Sequence, residues 1–201
     1  IYRNILFYII IMNNWLENHG YLELIIGPMY SGKTSKLIEI YNQCKLSNIN
    51  VFVVNHHIDK RYDDKLLSSH DKSKIPCIQT DKISHFIEEN INNIPNNSVI
   101  LINEGQFFDD LFENVVLLVE KYNLRVYISG LDSDYKRQNF GQIRDLLPFC
   151  DTISKLHSFC SRCKNGTRAI FSQRISKEEN QIVVGSENYL PLCRKCFIKT
   201  T

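Results

Sequence analysis

The segment at residues 27–34 has the composition and spacing of a loop that binds phosphate groups. Its sequence GPMYSGKT matches G-x-x-x-x-G-K-[ST], and it lies between a predicted strand and a predicted helix, a context that a chance glycine-rich turn would rarely have. In this motif the backbone N–H groups converge on an anion, and the helix N-terminus adds its dipole. We expect Lys33 to reach the β- and γ-phosphates of a nucleoside triphosphate and the Thr34 hydroxyl to bind Mg²⁺. The residues predicted to bind the triphosphate here are Gly27, Pro28, Met29, Tyr30, Ser31, Gly32, Lys33 and Thr34.

The third apolar strand, predicted at residues 99–102 (VILI), is followed by two polar residues, Asn103 and Glu104. In phosphate-loop enzymes an acidic residue at such a strand end holds Mg²⁺ or its waters, but Asn103 is neutral. The carboxyl edge of a parallel sheet lies beside the phosphate loop, so Glu104 is placed to accept the proton of an attacking hydroxyl group. Its position leaves two alternatives open, a ligand in the magnesium shell and a solvated loop residue.

Four cysteines near the C-terminus form two C-x-x-C pairs, a spacing that suits tetrahedral Zn²⁺. No fifth ligand is evident, which favours a structural metal site over a catalytic one. A redox C-x-x-C is the alternative, but two copies outside a thioredoxin-like context disfavour it. Basic residues lie nearby, yet glutamates dilute their charge, so we expect the metal to hold a loop in place and not to bind nucleic acid. The predicted zinc ligands are Cys160, Cys163, Cys193 and Cys196.

Length, composition and charge set broad limits on the function. The 201 residues suffice for one domain, or one domain with a small appendage, and 43% of them are hydrophobic. With 24 basic and 22 acidic residues the net charge is +2, which argues against a protein held on nucleic acid by charge. Seven cysteines are too few for a disulfide scaffold, so we expect a reducing, cytoplasmic location. The apolar run at residues 5–12 is shorter than the ~20 residues of a membrane helix, and we expect neither a membrane segment nor a signal peptide.

Short apolar strands alternate with helical segments from Tyr21 onward. Uninterrupted apolar strands between helices predict an α/β fold of the phosphate-loop type, a parallel sheet with helices on both faces. The predicted strands are Tyr21–Ile26, 51–54, 99–102, 125–131 and 152–156, and the predicted helices are 34–46, 82–91 and 111–122.

The pattern changes after His157, where helical periodicity stops and cysteines, glycines and short strand-like pieces follow. Residues 169–175 and 181–184 flank a polar stretch and predict a hairpin. We therefore predict an N-terminal extension at 1–20, with Met12 the expected start, an α/β domain at 21–157 and a small zinc-binding domain at 158–201.

Several motifs in this order make the sequence resemble the thymidine kinase family of the cytosolic and viral type. The resemblance extends from about Leu22 to Lys199, and the phosphate loop, EGQF and paired C-x-x-C together make it specific. It is carried by residues 27–34, 59–62 (DKRY), His70-Asp71, 104–107 (EGQF), Leu131-Asp132, Phe140-Gly141, the four cysteines and 185–189.

The resemblance implies that ATP phosphorylates the 5′-hydroxyl of thymidine in the presence of Mg²⁺, under a zinc-bearing lid at 158–201. It implies that Glu104 is the general base and that Asn103, Gln106, Asp59 and Arg61 lie on the ATP side. It also implies a homo-oligomer, a dimer or a tetramer, and feedback by thymidine triphosphate. The implied nucleoside-binding residues are Phe107, Leu131, Tyr135, Phe140, Ser172, Asn180, Gln181, Ile182, Val183, Val184, Gly185 and Tyr189.

Three departures from the family pattern keep alternatives open. Asn103 stands where the family usually has aspartate, and Ser172 where it commonly has threonine. Two extra residues between Cys163 and Ser172 leave open the register of the first strand of the lid. The alternatives are a broader deoxynucleoside kinase, a phosphate-loop ATPase whose zinc knuckle binds nucleic acid, and a member of the family without activity.

Overall fold

The computed structural model describes residues 19–58, 66–68 and 73–199. Asp59, Arg61 and the pair His70-Asp71 lie outside the described residues, as does the apolar run at 5–12. Within the described ranges, no helix is both long enough and apolar enough to cross a membrane.

The larger part of the chain alternates strands with helices, as the sequence predicts. Its regular elements are β1 Tyr21–Ile26, α1 Lys33–Leu46, β2 Val51–His56, β3 Leu66–Ser68, β4 Lys74–Pro76, β5 Ile78–Thr80, α2 Ile83–Asn90, β6 Val99–Asn103, α3 Leu111–Val116, β7 Arg125–Gly130 and β8 Thr152–Lys155. Short 3₁₀ helices lie at Ile91–Asn93, Gly105–Phe107 and Ile143–Phe149, and a π-helical turn at Leu117–Lys121.

Six of the strands form one sheet in the order β5-β2-β6-β7-β1-β8. Every neighbouring pair in this sheet is parallel. The ends of β1, β6 and β7 therefore meet at one edge, and these ends carry the phosphate loop, Glu104 and Leu131 respectively.

Helices cover both faces of the sheet, and each face has its own apolar core. On one face Leu37 and Ile38 of α1 pack against buried strand residues such as Val53. On the other, Phe86 of α2 and Leu111 of α3 lie in a larger cluster with the remaining strand side chains. Burying one such side chain contributes roughly 1.5–3 kcal/mol, so the two clusters explain why uninterrupted apolar strands settle between helices. The predicted α/β fold with a parallel sheet covered on both faces is confirmed.

The predicted helix at 111–122 is confirmed in position but differs in type, because its second half, Leu117–Lys121, is a π-helical turn.

Asp110, the residue directly before α3, stabilises the start of a different helix, α2. Its carboxylate accepts the backbone N–H groups of Ile83 and Ser84 at 3.0 and 2.9 Å, and so satisfies the first turn of α2. A side chain distant in sequence does what a capping residue usually does locally.

The C-terminal part has two small antiparallel pairs and a short helix. These elements are β9 Ser158–Phe159, β10 Arg168–Ala169, β11 Phe171–Arg174, β12 Tyr189–Leu192 and α4 Arg194–Ile198, with a 3₁₀ turn at Ser186–Asn188. The strand β9 pairs with β10, and β11 pairs with β12.

The predicted hairpin of 169–175 with 181–184 is wrong in its second strand. The partner of β11 is β12, in a register that places Ser172 opposite Pro191 and Arg174 opposite Tyr189. The stretch at 181–184 is irregular, and its backbone bonds to side chains: the Gln181 carbonyl accepts from Arg174 at 2.8 Å and the Val183 carbonyl from Tyr189 at 3.1 Å. Residues 175–188 thus form one long connection, which we call the lid loop.

Candidate active site

The phosphate loop joins β1 to α1 through a backbone path that favours glycine. Gly27, Tyr30 and Gly32 have φ angles of 153°, 61° and 84°, and the left-handed Gly32 directly precedes α1. A Cβ at position 27 would lie 2.5 Å from a backbone carbonyl oxygen, so a side chain does not fit there. The Lys33 ammonium donates to the Pro28 carbonyl at 2.8 Å. This path, together with the helix start behind it, is the arrangement that receives an anion.

Asn103 joins the phosphate loop to a line of buried side chains at the edge of the sheet. Its carbonyl oxygen accepts hydrogen bonds from the Ser129 hydroxyl at 2.8 Å and the Thr34 hydroxyl at 3.4 Å. Its amide group donates to Asn55 Oδ1 at 2.8 Å, and Asn55 donates in turn to Gln79 Oε1 at 3.3 Å. Since both hydroxyls donate to one atom, the oxygen of Asn103 faces the phosphate loop and its NH₂ group faces away.

Glu104 directly follows β6 with φ of 54°, a left-handed conformation that few non-glycine residues adopt. The Gln106 amide donates to Glu104 Oε2 at 2.6 Å and accepts the Leu131 N–H at 3.0 Å. Since the backbone N–H can only donate, the NH₂ group of Gln106 is the end that faces the carboxylate. A Cβ on Gly130 would come within 2.5 Å of Gln106 Oε1, so glycine there makes room for this contact. Gln106 thus holds the carboxylate, while its predicted role toward ATP stays a prediction.

A cavity beside Glu104 brings the two groups of predicted ligand residues together. Its lining includes loop residues 29–34, Glu104, Gln106 and all of the predicted nucleoside-binding residues except Asn180. The rings of Phe107 and Phe140 meet edge to face with centroids 5.7 Å apart and form part of its apolar wall. The lining does not include Gly27, Pro28 and Asn103.

A histidine that the sequence analysis did not single out lies behind this wall. The His56 ring contacts that of Phe107, with centroids 5.7 Å apart, and stacks on His57. Burial lowers the pKa of His56 below its usual value, and the neighbouring His57 lowers it further. The ring is therefore neutral near pH 7 and extends the apolar wall.

The lid is bonded directly to the phosphate loop. The Met29 N–H donates to the Ser172 hydroxyl at 2.9 Å, and the Tyr30 hydroxyl donates to the Ser186 carbonyl at 2.6 Å. The Ser172 hydroxyl lines the cavity as well, so the side chain predicted near the base also touches the loop predicted to hold phosphate. The lid therefore contacts the phosphate loop at two points, Ser172 and Ser186.

The four predicted zinc ligands come together at the base of the lid, with all their Sγ atoms within 4.8 Å of one another. Cys163 Sγ lies 3.7 Å from Cys193 Sγ and 3.5 Å from Cys196 Sγ, and none of these cysteines forms a disulfide. Tetrahedral Zn²⁺ with Zn–S bonds of ~2.3 Å places its sulfurs ~3.8 Å apart, so the cluster fits the metal. A small apolar core that includes Leu192 and Phe197 surrounds it.

Comparison with known proteins identifies the family. A family model described as thymidine kinase matches residues 20–197, nearly the whole chain. The chain belongs to the thymidine kinase family. It is 35% identical to a thymidine kinase of Bacteroides thetaiotaomicron, over 91% of this chain and 89% of that protein. A thymidine kinase of sheeppox virus is 34% identical, over 90% of this chain and 98% of its own length. One of Oryza sativa is 32% identical over 89% of this chain, which spans 66% of the rice protein.

In this thymidine kinase family member, sequence reasoning missed three residues that hold the site, and of these three only Asp134 lines the cavity. Asn55 follows the apolar run of β2 as Asn103 follows that of β6, so paired amides at neighbouring strand ends were a usable signal. Arg174 lies two residues after Ser172, and both are buried on the same face of β11. Because residues two apart in a strand share a face, the position of Arg174 relative to the predicted site residue Ser172 could have indicated that Arg174 faces the site. Asp134, which accepts from Gln181, had no such signal.

Proposed function

We propose that the chain transfers the γ-phosphate of ATP to the 5′-hydroxyl of thymidine, giving thymidine monophosphate and ADP. The observation that carries the proposal is the position of Glu104. It lines one cavity together with Lys33 and Thr34 of the phosphate loop on one side and the predicted nucleoside-binding residues on the other. A base between a triphosphate site and a nucleoside site is what such a transfer needs.

ATP lies on the phosphate loop in this proposal, with Lys33 against its β- and γ-phosphates. Mg²⁺, when bound, neutralises phosphate charge and aligns the transferred group. The Thr34 hydroxyl would be its ligand on the loop, and the Asn103 oxygen, which accepts from Thr34, would add a neutral polar group where the family usually has a carboxylate.

Glu104 accepts the proton of the thymidine 5′-hydroxyl as the oxygen attacks the γ-phosphorus and the bond to the β-phosphate oxygen breaks. Gln106 keeps the carboxylate in place through the 2.6 Å hydrogen bond. The lid covers the nucleoside and excludes water, which would otherwise accept the phosphoryl group.

The thymine base fits the apolar part of the cavity, between the Phe107–Phe140 wall and the lid loop. Leu131 and Met29 line its pocket, and Tyr135 and Tyr189 contact the nucleoside. Backbone groups at 180–185 bond the polar edge of the base, which gives selectivity because an unmatched base leaves buried polar groups unpaired.

Product formation from separate nucleosides tests this proposal. The zinc-loaded chain is incubated with Mg·ATP and one deoxynucleoside at a time, and the monophosphate is quantified by chromatography. We expect product from thymidine, and much less from deoxycytidine and the deoxypurines. Comparable product from several nucleosides would support a broader deoxynucleoside kinase, and no product from any of them would contradict the proposal.

We place the enzyme in the cytoplasm as a homo-oligomer. None of the seven cysteines, all of which lie in the described ranges, forms a disulfide, which suits a reducing compartment. The edge strand β8 leaves Ile153 48% exposed, and the adjoining Phe149 is 44% exposed, so this edge is suited to contact a second subunit in a dimer or tetramer.

Replacing Asn103 with aspartate is expected to lower the Mg²⁺ concentration for half-maximal activity about 5- to 10-fold, since one added charge near the metal is worth ~1 kcal/mol. The variant loses the donor to Asn55, so its free energy of unfolding should fall by about 1–3 kcal/mol. Activity measured against Mg²⁺ concentration, with unfolding measured in urea, checks both effects.

The matched control is Asn55→Asp. It adds a carboxylate to the same hydrogen-bond network, but one side chain farther from Thr34, because Asn103 lies between them. It should lose stability without a comparable gain in Mg²⁺ affinity. An unchanged Mg²⁺ requirement in a folded Asn103→Asp variant would show that position 103 does not act on the metal.

A further inference from the structure

Arg174 is a buried cation at the centre of the lid, with 5% of its surface exposed. Its guanidinium donates to the carbonyl oxygens of Glu178 at 3.2 Å and Gln181 at 2.8 Å, and also to that of Asn180. It donates to the Tyr189 hydroxyl at 2.5 Å as well. A single planar group thus satisfies three carbonyls of the lid loop, which have no strand partner.

Two tyrosines extend this arrangement. The guanidinium carbon lies 3.8 Å from the centre of the Tyr135 ring and 5.1 Å from that of Tyr189. The Tyr135 hydroxyl donates to the Glu179 carbonyl, and the Tyr189 hydroxyl to the Val183 carbonyl, each at 3.1 Å. Arg174 therefore fixes the lid loop both directly and through the two tyrosines.

The residues that Arg174 holds in place form part of the cavity wall. Its lining includes Tyr135, Tyr189 and the lid loop from Gln181 to Gly185, but not Arg174. The guanidinium lies on the far side of the loop, where it shapes the wall of the site without touching its contents. Such a side chain acts on a ligand only through the residues it holds.

We propose that Arg174 is the positioning residue of the nucleoside site: it holds the lid loop and both tyrosines in the conformation that receives the base. The inference deepens the proposed function and rests on it. The ATP side depends on it little, because Arg174 bonds the stretch 178–181 and Tyr189, whereas the lid contacts the phosphate loop at Ser172 and Ser186. Lysine cannot replace it, because an ammonium group lacks the planar fork that reaches three carbonyls and a hydroxyl.

Steady-state kinetics of Arg174→Met separate this role from a general structural one. Methionine keeps an apolar stem in the buried position and removes every donor. We expect KM for thymidine to rise on the order of 10- to 100-fold, as loss of hydrogen bonds from a charged group predicts. The kcat should stay within about 3-fold, KM for ATP should not change, and Arg174→Lys should recover only part of the affinity. Zinc content, measured by metal analysis, should remain one ion per chain.

Arg168→Met is the matched control, because Arg168 is an exposed arginine of the same part of the chain, and it should behave as the unmodified protein. Hydrogen exchange gives a second readout that needs no activity, and amides of 178–184 should exchange faster in Arg174→Met than in Arg168→Met. An unchanged KM for thymidine, an equal rise in KM for ATP, or unchanged exchange would each overturn the proposal. If the unmodified chain phosphorylates no nucleoside, the proposed function fails, and exchange alone decides whether Arg174 holds the lid loop.

Discussion

Replacing Glu104 with glutamine is expected to lower kcat for thymidine phosphorylation by about 10²- to 10⁴-fold, the usual contribution of a general base. Glutamine has nearly the shape of glutamate but cannot take the proton of the 5′-hydroxyl. Both residues have the same side-chain length, and neither has a special preference for the left-handed backbone conformation of position 104. The substitution therefore changes the ionisable carboxylate and little else. The measurement is the rate of thymidine monophosphate formation at saturating ATP and thymidine.

Two further variants make this result specific. Glu113→Gln removes an exposed carboxylate of α3 and should leave kcat unchanged. Glu104→Asp keeps a carboxylate as the base, but the side chain is one methylene group shorter and the carboxylate lies farther from the substrate. Its kcat should therefore fall between those of the unmodified chain and Glu104→Gln. Calorimetric titration with ATP should give the same affinity for Glu104→Gln as for the unmodified chain. A kcat within about 3-fold of the unmodified value would instead assign Glu104 to the magnesium shell or to the loop surface.

Loss of the zinc site is expected to abolish more than 99% of the activity while the central sheet stays folded. The strands β11 and β12 carry Ser172 and Tyr189, and the core around the cysteines contains few other apolar side chains. Structural zinc contributes about 10–16 kcal/mol of binding free energy in small domains, far more than this core can supply. Cys163→Ser, assayed for zinc content, activity and circular dichroism, makes the measurement.

Loss of zinc should also disturb the nucleoside site through Arg137. Arg137, in the loop that also carries Tyr135, packs its guanidinium on the rings of Phe171 and Phe197, at 5.7 and 5.0 Å from their centres. Release of the metal would loosen both rings and with them this loop. Cys150→Ser is the control, because Cys150 lies outside the quartet and should leave zinc content and activity unchanged. Full activity in a Cys163→Ser variant that holds no zinc would refute the structural role of the site.

Local patterns in the sequence predicted the central sheet and the zinc ligands. Runs such as VILI at 99–102 are apolar throughout, and a sheet covered on both faces buries them, so the fold class followed from the pattern of apolar strands between helices. The spacing of the two C-x-x-C pairs likewise predicts that four sulfurs meet at one metal site, and the four sulfurs come together as predicted. The phosphate loop was recognisable because its motif includes the strand before it and the helix after it.

Contacts between distant segments could not be predicted in the same way. The partner of β11 was misassigned because 181–184 (QIVV) is rich in β-branched residues, as a strand often is, whereas Arg174 and Asp134 bind the polar groups of Gln181 instead. The role of Gln106 was likewise hidden, because it depends on a backbone N–H that lies 25 residues away in sequence, at Leu131. Such arrangements follow from packing in three dimensions, and no local pattern encodes them.

Radiolabelled ATP shows directly where the γ-phosphate goes. The chain is incubated with Mg·[γ-³²P]ATP and thymidine, 3′-deoxythymidine or 5′-deoxythymidine, and labelled products are separated by chromatography. We expect the proposed transfer to give labelled 5′-monophosphate from thymidine and from 3′-deoxythymidine, and no labelled nucleotide from 5′-deoxythymidine, which lacks the accepting hydroxyl. Label found only as inorganic phosphate, or transferred to 5′-deoxythymidine, would contradict it.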